Sequence, residues 1–404
     1  RWTRPVMTRT APDGTLWIVD MYRYMIEHPQ WLPQEGKDAL RPGYRAGEEL
    51  GRIYRVVPKV KSPRESEFTS SDSHASPANW LERLQSPNGI VRDLAHQHFH
   101  SQSNPFPAKD IQRIASTAPL AEVRIQALAL LAGKGRCDMA TLETAAADSH
   151  PLVRRQAIRI AEHTHPQEVP GCIQELGQDP DLKVRLQWVS SLGEWKTPSA
   201  GKLLAEFAKQ PAESPYVRAA VISSLPPHVG EVTAVVIDEL PSVDPTIVDA
   251  LVTCAEEHHK ELARLLLALL QQLDLRPEVA QRLTAWFATL ENRDRSVEEY
   301  LSSVSLDEVK REFEVATEKV RHRIHEGQKV PSTQICLLGW ESSRLEEDIA
   351  WLSLAMEDAR TQEVAVSALL RIRHQQAPEA LIGRLPKMLP SMRARTLAAL
   401  LRRV

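Results

Sequence analysis

One short motif returns along this chain at nearly constant spacing: a proline, then Val-Arg, then a small or apolar residue three positions on. It occurs as Pro87, Val91, Arg92, Ala95, and again as Pro119, Val123, Arg124, Ala127. Pro151, Val153, Arg154, Ala157 follow, then Pro180, Val184, Arg185, Trp188, then Pro215, Val217, Arg218, Val221. Weaker copies stand at Pro245, Val248, Asp249 and at Pro277, Val279, Ala280. The residue after the valine therefore falls at 92, 124, 154, 185, 218, 249 and 280, with 30 to 33 residues between copies. A fixed period of this size marks a repeat array, because a unit that short cannot bury its apolar face alone and must stack on its neighbours. A unit this short holds two helices and two tight turns.

The chemistry of the motif explains its parts. Proline opens the second helix, where its missing N–H costs nothing. An acidic residue just before it (Asp148, Asp179, Glu213, Asp244) can accept the free N–H groups of the first turn. The valine and the small residue share one helical face, which faces the core. The arginines of the column, Arg92, Arg124, Arg154, Arg185 and Arg218, have two readings. Each can pair with the acidic residue of an adjacent repeat and build a ladder, or the row can bind phosphates. The acidic residues recur in step with the arginines, which favours the ladder.

Beyond Gln281 the motif fades. Ser305 and Glu308 form a capping-box pattern. It opens a mixed-charge helix with Val309, Phe313, Ala316, Val320 and Ile324 on one face and Gly327 as its stop. The next clear unit surrounds Val364 and Ala368, and the interval from 280 is not a whole number of repeats. An insertion or long helix is expected to break the register there, as a docking place for another domain. A last helix starts near Ser391.

The first sixty residues follow a different rule. Val6 to Ala11, the turn Pro12-Asp13-Gly14, and Thr15 to Tyr22 read as a β-hairpin, with Gly14 supplying the left-handed turn position. A third β-prone run covers Gly51 to Val57. A long polar excursion, Arg23 to Leu50, lies between the second and third strands, and loops of that length are often functional. Three strands cannot bury a face alone, so they are expected to complete a larger sheet.

The turn Pro12-Asp13-Gly14, the strand ending Asp20-Met21-Tyr22-Arg23, the segment Ile26-Glu27-His28-Pro29 and the closing Gly51-Arg52-Ile53-Tyr54-Arg55-Val56 resemble the last blade of glucose/sorbosone dehydrogenase-type propellers. With helical repeats following, the chain resembles the planctomycete-type (PVC-type) membrane-bound dehydrogenases. Those are multidomain proteins that join a propeller, a HEAT-like solenoid and a haem-binding cytochrome c domain with a CxxCH site. The resemblance covers residues 1–58 through specific motifs and the rest through domain order. It implies a fragment of such a protein: an upstream propeller and a downstream cytochrome domain as partners, haem c in the parent rather than in this chain, and a periplasmic or cell-surface location.

The expected architecture is mainly α. A right-handed α-solenoid of HEAT-like (ARM-type) repeats is preceded by a short β segment from the last blade of a β-propeller. Its expected parts are terminal strands in 1–57, a Ser- and Pro-rich linker in 58–77, regular repeats in 78–290 and an irregular, truncated helical continuation in 291–404.

Candidate chemistry is sparse. Asp20, Glu27 and His28 can place carboxylates and an imidazole at a propeller mouth, to bind a metal or move a proton, or they can simply brace strand and loop. His96 and His100 stand at the i, i+4 spacing that binds a metal, but no third ligand accompanies them and the helix is ending there, where histidines suit its dipole. Cys137, Cys172, Cys254 and Cys336 stand alone, with no CxxC or CxxCH. No nucleophile elbow, phosphate loop, dinucleotide fingerprint or zinc signature occurs. A net charge of -3 over 404 residues gives no reason to expect a nucleic-acid surface. No apolar run is long enough to span a bilayer. The expected role is therefore a non-catalytic scaffold joining the parts of a larger protein, or alternatively a stand-alone repeat scaffold that holds a protein partner on its concave face.

Overall fold

A computed structural model describes residues 3–26, 28–31, 33–57, 59, 77–101, 106–211, 214–240, 242–273, 278–291, 300–301, 306–388 and 390–401. The chain divides into two compact units, Arg1–Thr164 and His165–Val404. The fold is mainly α: stacked HEAT-like helix pairs preceded by a short antiparallel sheet.

The first unit opens with β1 (Pro5–Thr10), β2 (Leu16–Asp20) and β3 (Arg52–Val56), in the order β1-β2-β3. Thr10 pairs with Leu16, and the five residues between the strands close on themselves: Ala11 N–H donates to Thr15 at 2.8 Å and Gly14 N–H to Ala11 at 2.9 Å. Gly14 has φ +79°, the left-handed turn position expected of it. The excursion after β2 is not structureless. It contains the short helix α1 (Gln34–Leu40). Arg4 pins its start, donating to the carbonyls of Arg23 and Tyr24.

Helices follow from Pro77. The linker expected over 58–77 falls almost wholly outside the described residues, and Pro77 already opens α2 (Pro77–Leu84). The remaining helices of this unit are α3 (Gly89–Ser101), α4 (Ala108–Thr117), α5 (Ala121–Gly133), α6 (Met139–Ala146) and α7 (Pro151–Thr164). They stack in two layers: α3, α5 and α7 pack one on the next, α4 packs on α6, and each outer helix packs on its own inner partner. The motif valines Val91, Val123 and Val153 and the small residues Ala95, Ala127 and Ala157 are all buried at the inner layer. That is the core phase expected from their spacing. Asn88 ties the sheet to this stack, donating to the hairpin carbonyls of Ala11 and Pro12 at 3.0 and 3.1 Å.

The second unit begins with α8 (Gly171–Gln174), which is only one turn long in a stretch broken by Pro166 and Pro170. Then come α9 (Leu182–Leu192), α10 (Pro198–Ala208), α11 (Pro215–Ser224), α12 (Val229–Glu239), α13 (Pro245–Cys254), α14 (His259–Gln271) and α15 (Glu278–Glu291). Here α9, α11, α13 and α15 form one layer and α10, α12 and α14 the other. Among the described residues no strand occurs after β3.

Proline opens α7, α11 and α13 as expected, but Pro87, Pro119 and Pro180 lie in the turn ahead of their helices. The caps shift with them. Asp181, not Asp179, accepts the N–H groups of Lys183 and Val184 at the start of α9. Ser214 caps α11, and Glu213 lies outside the described residues. Asp244 caps α13 as expected.

The lapse of the motif after Ala280 is absorbed within the stack. Helix Asp307–His325 packs on α14, and the single turn Ser332–Ile335 packs on α15, so a long and a very short helix together occupy one repeat. Helices Leu345–Ala355 and Gln362–Arg371 form the next pair, and Gln376–Arg384 with Pro390–Leu401 the last. Ser305 of the expected capping box lies outside the described residues, and the helix begins at Asp307. Its stop is the expected one. Gly327 has φ +70°, its N–H donates to Ile324, and the next N–H, of Gln328, reaches back to Arg323 at 2.9 Å, which closes a Schellman motif.

Candidate functional site

The arginine column is a recurring polar feature of the repeats, and its geometry is more specific than a ladder of ion pairs. In four repeats Nη1 donates to the main-chain carbonyl six residues earlier, at the turn that precedes the arginine's own helix. Arg92 takes the carbonyl of Ser86 at 2.8 Å, Arg124 that of Ala118 at 2.6 Å, and Arg154 that of Asp148 at 2.8 Å. Arg185 takes that of Asp179. A turn between packed helices carries carbonyls with no helical partner, and the guanidinium satisfies them. This role was not read from the sequence. Its signal is the constant interval between the arginine and the turn.

Two of the expected rungs between repeats are formed. Arg124 meets Asp148 bidentately, with Nε to Oδ2 at 2.7 Å and Nη2 to Oδ1 at 2.8 Å. Nε of Arg218 lies 2.7 Å from Oδ2 of Asp244, as an ion pair without an aligned N–H···O bond. Arg92 faces no carboxylate at that place. It donates to Oε1 of Gln126 at 3.0 Å, and Gln126 in turn donates to Asp93 at 2.6 Å. Burial pushes the Asp148 carboxyl up, but the Arg124 hydrogen bond and the His150 N–H outweigh it and hold it below its ordinary range. Asp244 is also held low: burial acts upward and is outweighed by Thr246 and Arg218. Arg124 is buried and its donors are occupied, so at that rung the geometry supports a structural brace rather than a phosphate cradle.

A second polar cluster escaped the sequence reading altogether. Arg321 is 2% exposed inside the long helix Asp307–His325. It donates to both oxygens of the fully buried Asp348, at 2.9 and 3.0 Å, and to Glu341 at 3.1 Å. Asp348 also accepts the Gly339 N–H at 2.7 Å. Thr317, one turn earlier, donates to Glu341. The buried face of the helix runs through Val309, Phe313, Thr317 and Arg321, with Val320 beside it, while Ala316 and Ile324 are only half-buried. Strict i, i+4 continuation from Phe313 through Thr317 to Arg321 was the available signal, and their polarity hid it.

Of the sequence candidates Asp20, Glu27 and His28, the structure describes Asp20 and His28, each with its own local partners. Asp20 is buried and braces the sheet end, accepting the N–H of Arg4 at 2.6 Å, the N–H of Tyr22 at 3.2 Å and Nε of Arg52 at 3.0 Å. Arg52 also lies over the Tyr22 ring, 3.9 Å from its centroid. His28 is exposed, and its Nδ1 accepts the N–H of Gln30 at 3.3 Å, a local turn. Glu27 lies outside the described residues.

His96 and His100 stack with ring centroids 6.3 Å apart, while His98 stacks on Trp80 at 4.1 Å. Burial, and then the neighbouring His100, lowers the His96 pKa. Among the described residues no three His, Cys, Asp or Glu side chains converge to hold a metal ion. The cysteines do not fit a c-type haem, which needs two thiols and a histidine in one CxxCH segment. They stand far apart in sequence, burial pushes the Cys137 thiol up to about 11, and Cys336 donates to the Thr333 carbonyl. Among the described residues no single helix is long and apolar enough to cross a membrane.

Residues 1–60 match a family model described as a domain of unknown function, DUF7133. No curated protein matches the chain. Among solved structures the chain is similar to the Kap95:Nup1 complex at 12% identity with a TM-score of 0.30, over 79% of this chain and 50% of that one. It is also similar to a homology model of the full-length AP-3 complex in an intermediate open conformation, at 13% identity with a TM-score of 0.29, over 78% of this chain and 68% of that one. This chain thus spans about half the length of the first of these, and the helical-repeat architecture stands on its own helix packing.

Proposed function

We propose that this chain is a non-catalytic joining region: its strands complete a β-propeller, and its repeats hold a second domain of the same polypeptide at a set place. The observation that carries this reading is the sheet. Trp17, Val19 and Ile53 lie on one face, and Leu16, Ile18, Tyr54 and Val56 on the other. Ile53 is 62% exposed on the first face and Val56 49% exposed on the second. A sheet with large apolar side chains open on both faces is built to be covered on both, as a blade is between its neighbours.

The resemblance of the Pro12-Asp13-Gly14 turn and the Gly51 to Val56 strand to dehydrogenase propellers supports the same reading, and it makes the second domain a cytochrome c that supplies the haem. On this reading the parent protein is periplasmic or surface-borne, and this chain performs no chemical step. Sequencing the coding region on both sides, together with a pyridine haemochrome assay on the natural polypeptide, tests it. Further blade motifs upstream, a CxxCH downstream and one haem per chain are the expected result. A reading frame that stops at both borders would sink this proposal and leave a stand-alone scaffold.

A further inference from the structure

We infer that the groove beside the over-long repeat is a docking site for a partner segment that presents a large apolar side chain next to a carboxylate. The inference rests on the scaffold reading of the repeats and names what one part of the scaffold would hold. The groove has a volume of about 600 Å³, within the range of working binding sites. It opens between the chain that leaves the Schellman turn at Gly327 and the turn 358–361 ahead of helix Gln362–Arg371. Ile335 and Leu338 are buried at its floor, while Trp351 and Leu354 line it from helix Leu345–Ala355. Leu354 is 51% exposed there, and His325 sets its ring edge-on to Trp351 at 4.9 Å.

The rim supplies the charge that selects an occupant. Arg360 grips Asp358, with Nη2 to Oδ2 at 2.7 Å and Nε to Oδ1 at 3.2 Å, so these two groups neutralise each other. Those bonds and the Arg360 N–H hold the Asp358 carboxyl down at about 2. Lys329 lines the same rim and, among the described residues, makes no hydrogen bond or ion pair, although it acts on Asp358 from longer range. Among the residues that line the groove the formal charge is therefore +1, carried by Lys329 above an apolar floor. An apolar anchor desolvates the floor, and an adjoining carboxylate meets Lys329 where the anchor has displaced water and strengthened the attraction.

The test uses the full chain and two fluorescein-labelled hexapeptides, Gly-Ser-Leu-Phe-Glu-Glu and Gly-Ser-Leu-Phe-Lys-Lys, followed by anisotropy. The acidic peptide is expected to saturate below about 1 mM and to bind at least about tenfold tighter than the basic one. Lys329→Glu should invert that preference. Leu354→Asp, at an exposed position, should weaken the acidic peptide about tenfold while the circular dichroism melt stays put. No saturation by about 1 mM, equal binding of the two peptides, or an unchanged preference in Lys329→Glu would each overturn the inference. The joining-region reading is decided separately by flanking sequence and haem content, so either idea can fail without the other.

Discussion

Arg124 and Asp148 meet through two parallel hydrogen bonds, at 2.7 and 2.8 Å, while the same arginine seals the turn of its own repeat and the main-chain carbonyl of the same aspartate is sealed by Arg154. This rung thus hands on to the next through Asp148, whose side chain faces backward along the array and whose backbone faces forward. Arg124→Ala should lower stability by about 2–3 kcal/mol, because it strips a nearly buried carboxylate of its charged donors and leaves the Ala118 carbonyl bare. Arg124→Lys should recover only part of this, since an ammonium cannot reproduce the fork. Urea melts of the three proteins check it, and equal midpoints would reduce the rung to a surface decoration.

The same pair sets a pH dependence. The folded pKa of Asp148 is depressed below its ordinary 3.8. A depressed carboxylate contributes stability that is fully present above the unfolded pKa and is lost as pH falls through the folded one. The stability gap between the wild type and Asp148→Asn should therefore be constant from neutral pH down to about pH 5 and close progressively below about pH 4. A gap that stays constant down to pH 2–3 would mean that the carboxylate charge contributes nothing.

Val184 and Lys183 are adjacent in sequence and opposite in environment. Val184 is fully buried on the packed face of α9, whereas Lys183 is exposed in the first turn of the same helix. Val184→Asp should cost several kcal/mol, on the order of 4, by burying an unpaired charge or forcing its protonation. Lys183→Asp should be close to neutral, because an acid suits a helix N-terminus. Thermal melts separate the two, and equal melting temperatures would overturn the helical phase of the whole valine column.

Arg321 is the cation of a buried network that links helix Asp307–His325 to helix Leu345–Ala355. Arg321→Met should destabilise the second unit by about 3–5 kcal/mol, since Asp348 and Glu341 are left without their counter-ion. Adding Asp348→Leu and Glu341→Gln to Arg321→Met should restore a substantial part of that loss, because a neutral network no longer buries charge. A triple variant no more stable than Arg321→Met would show that the network cannot be exchanged for packing.

The strands depend on what covers them. A fragment of residues 78–404 should be soluble and strongly helical by circular dichroism, because each repeat finds its contacts in its neighbours. Residues 1–57 alone should show no sheet signal, because their apolar faces have nothing to pack on. A folded 1–57 fragment would remove the need for further strands.

The repeat array, the hairpin turn and the Schellman stop at Gly327 were legible because each is written in local order. A period of about one helix pair marks the units, valine and alanine at helical spacing mark the core face, and a glycine marks a left-handed position. Tertiary structure alone decided the rest. Pro180 and Asp179 lie ahead of the helix start, where Asp181 accepts the N–H groups of Lys183 and Val184. Arg92 took Gln126 rather than an acid because the next turn presents Ala118 where other repeats present aspartate. Thr317 and Arg321 went inside because Glu341 and Asp348, brought up from later segments, gave them partners. A side chain's periodicity is a property of its own helix and can be read from the chain. Its partner, and hence whether a charge can afford burial, depends on how separate helices register against one another, which only packing sets.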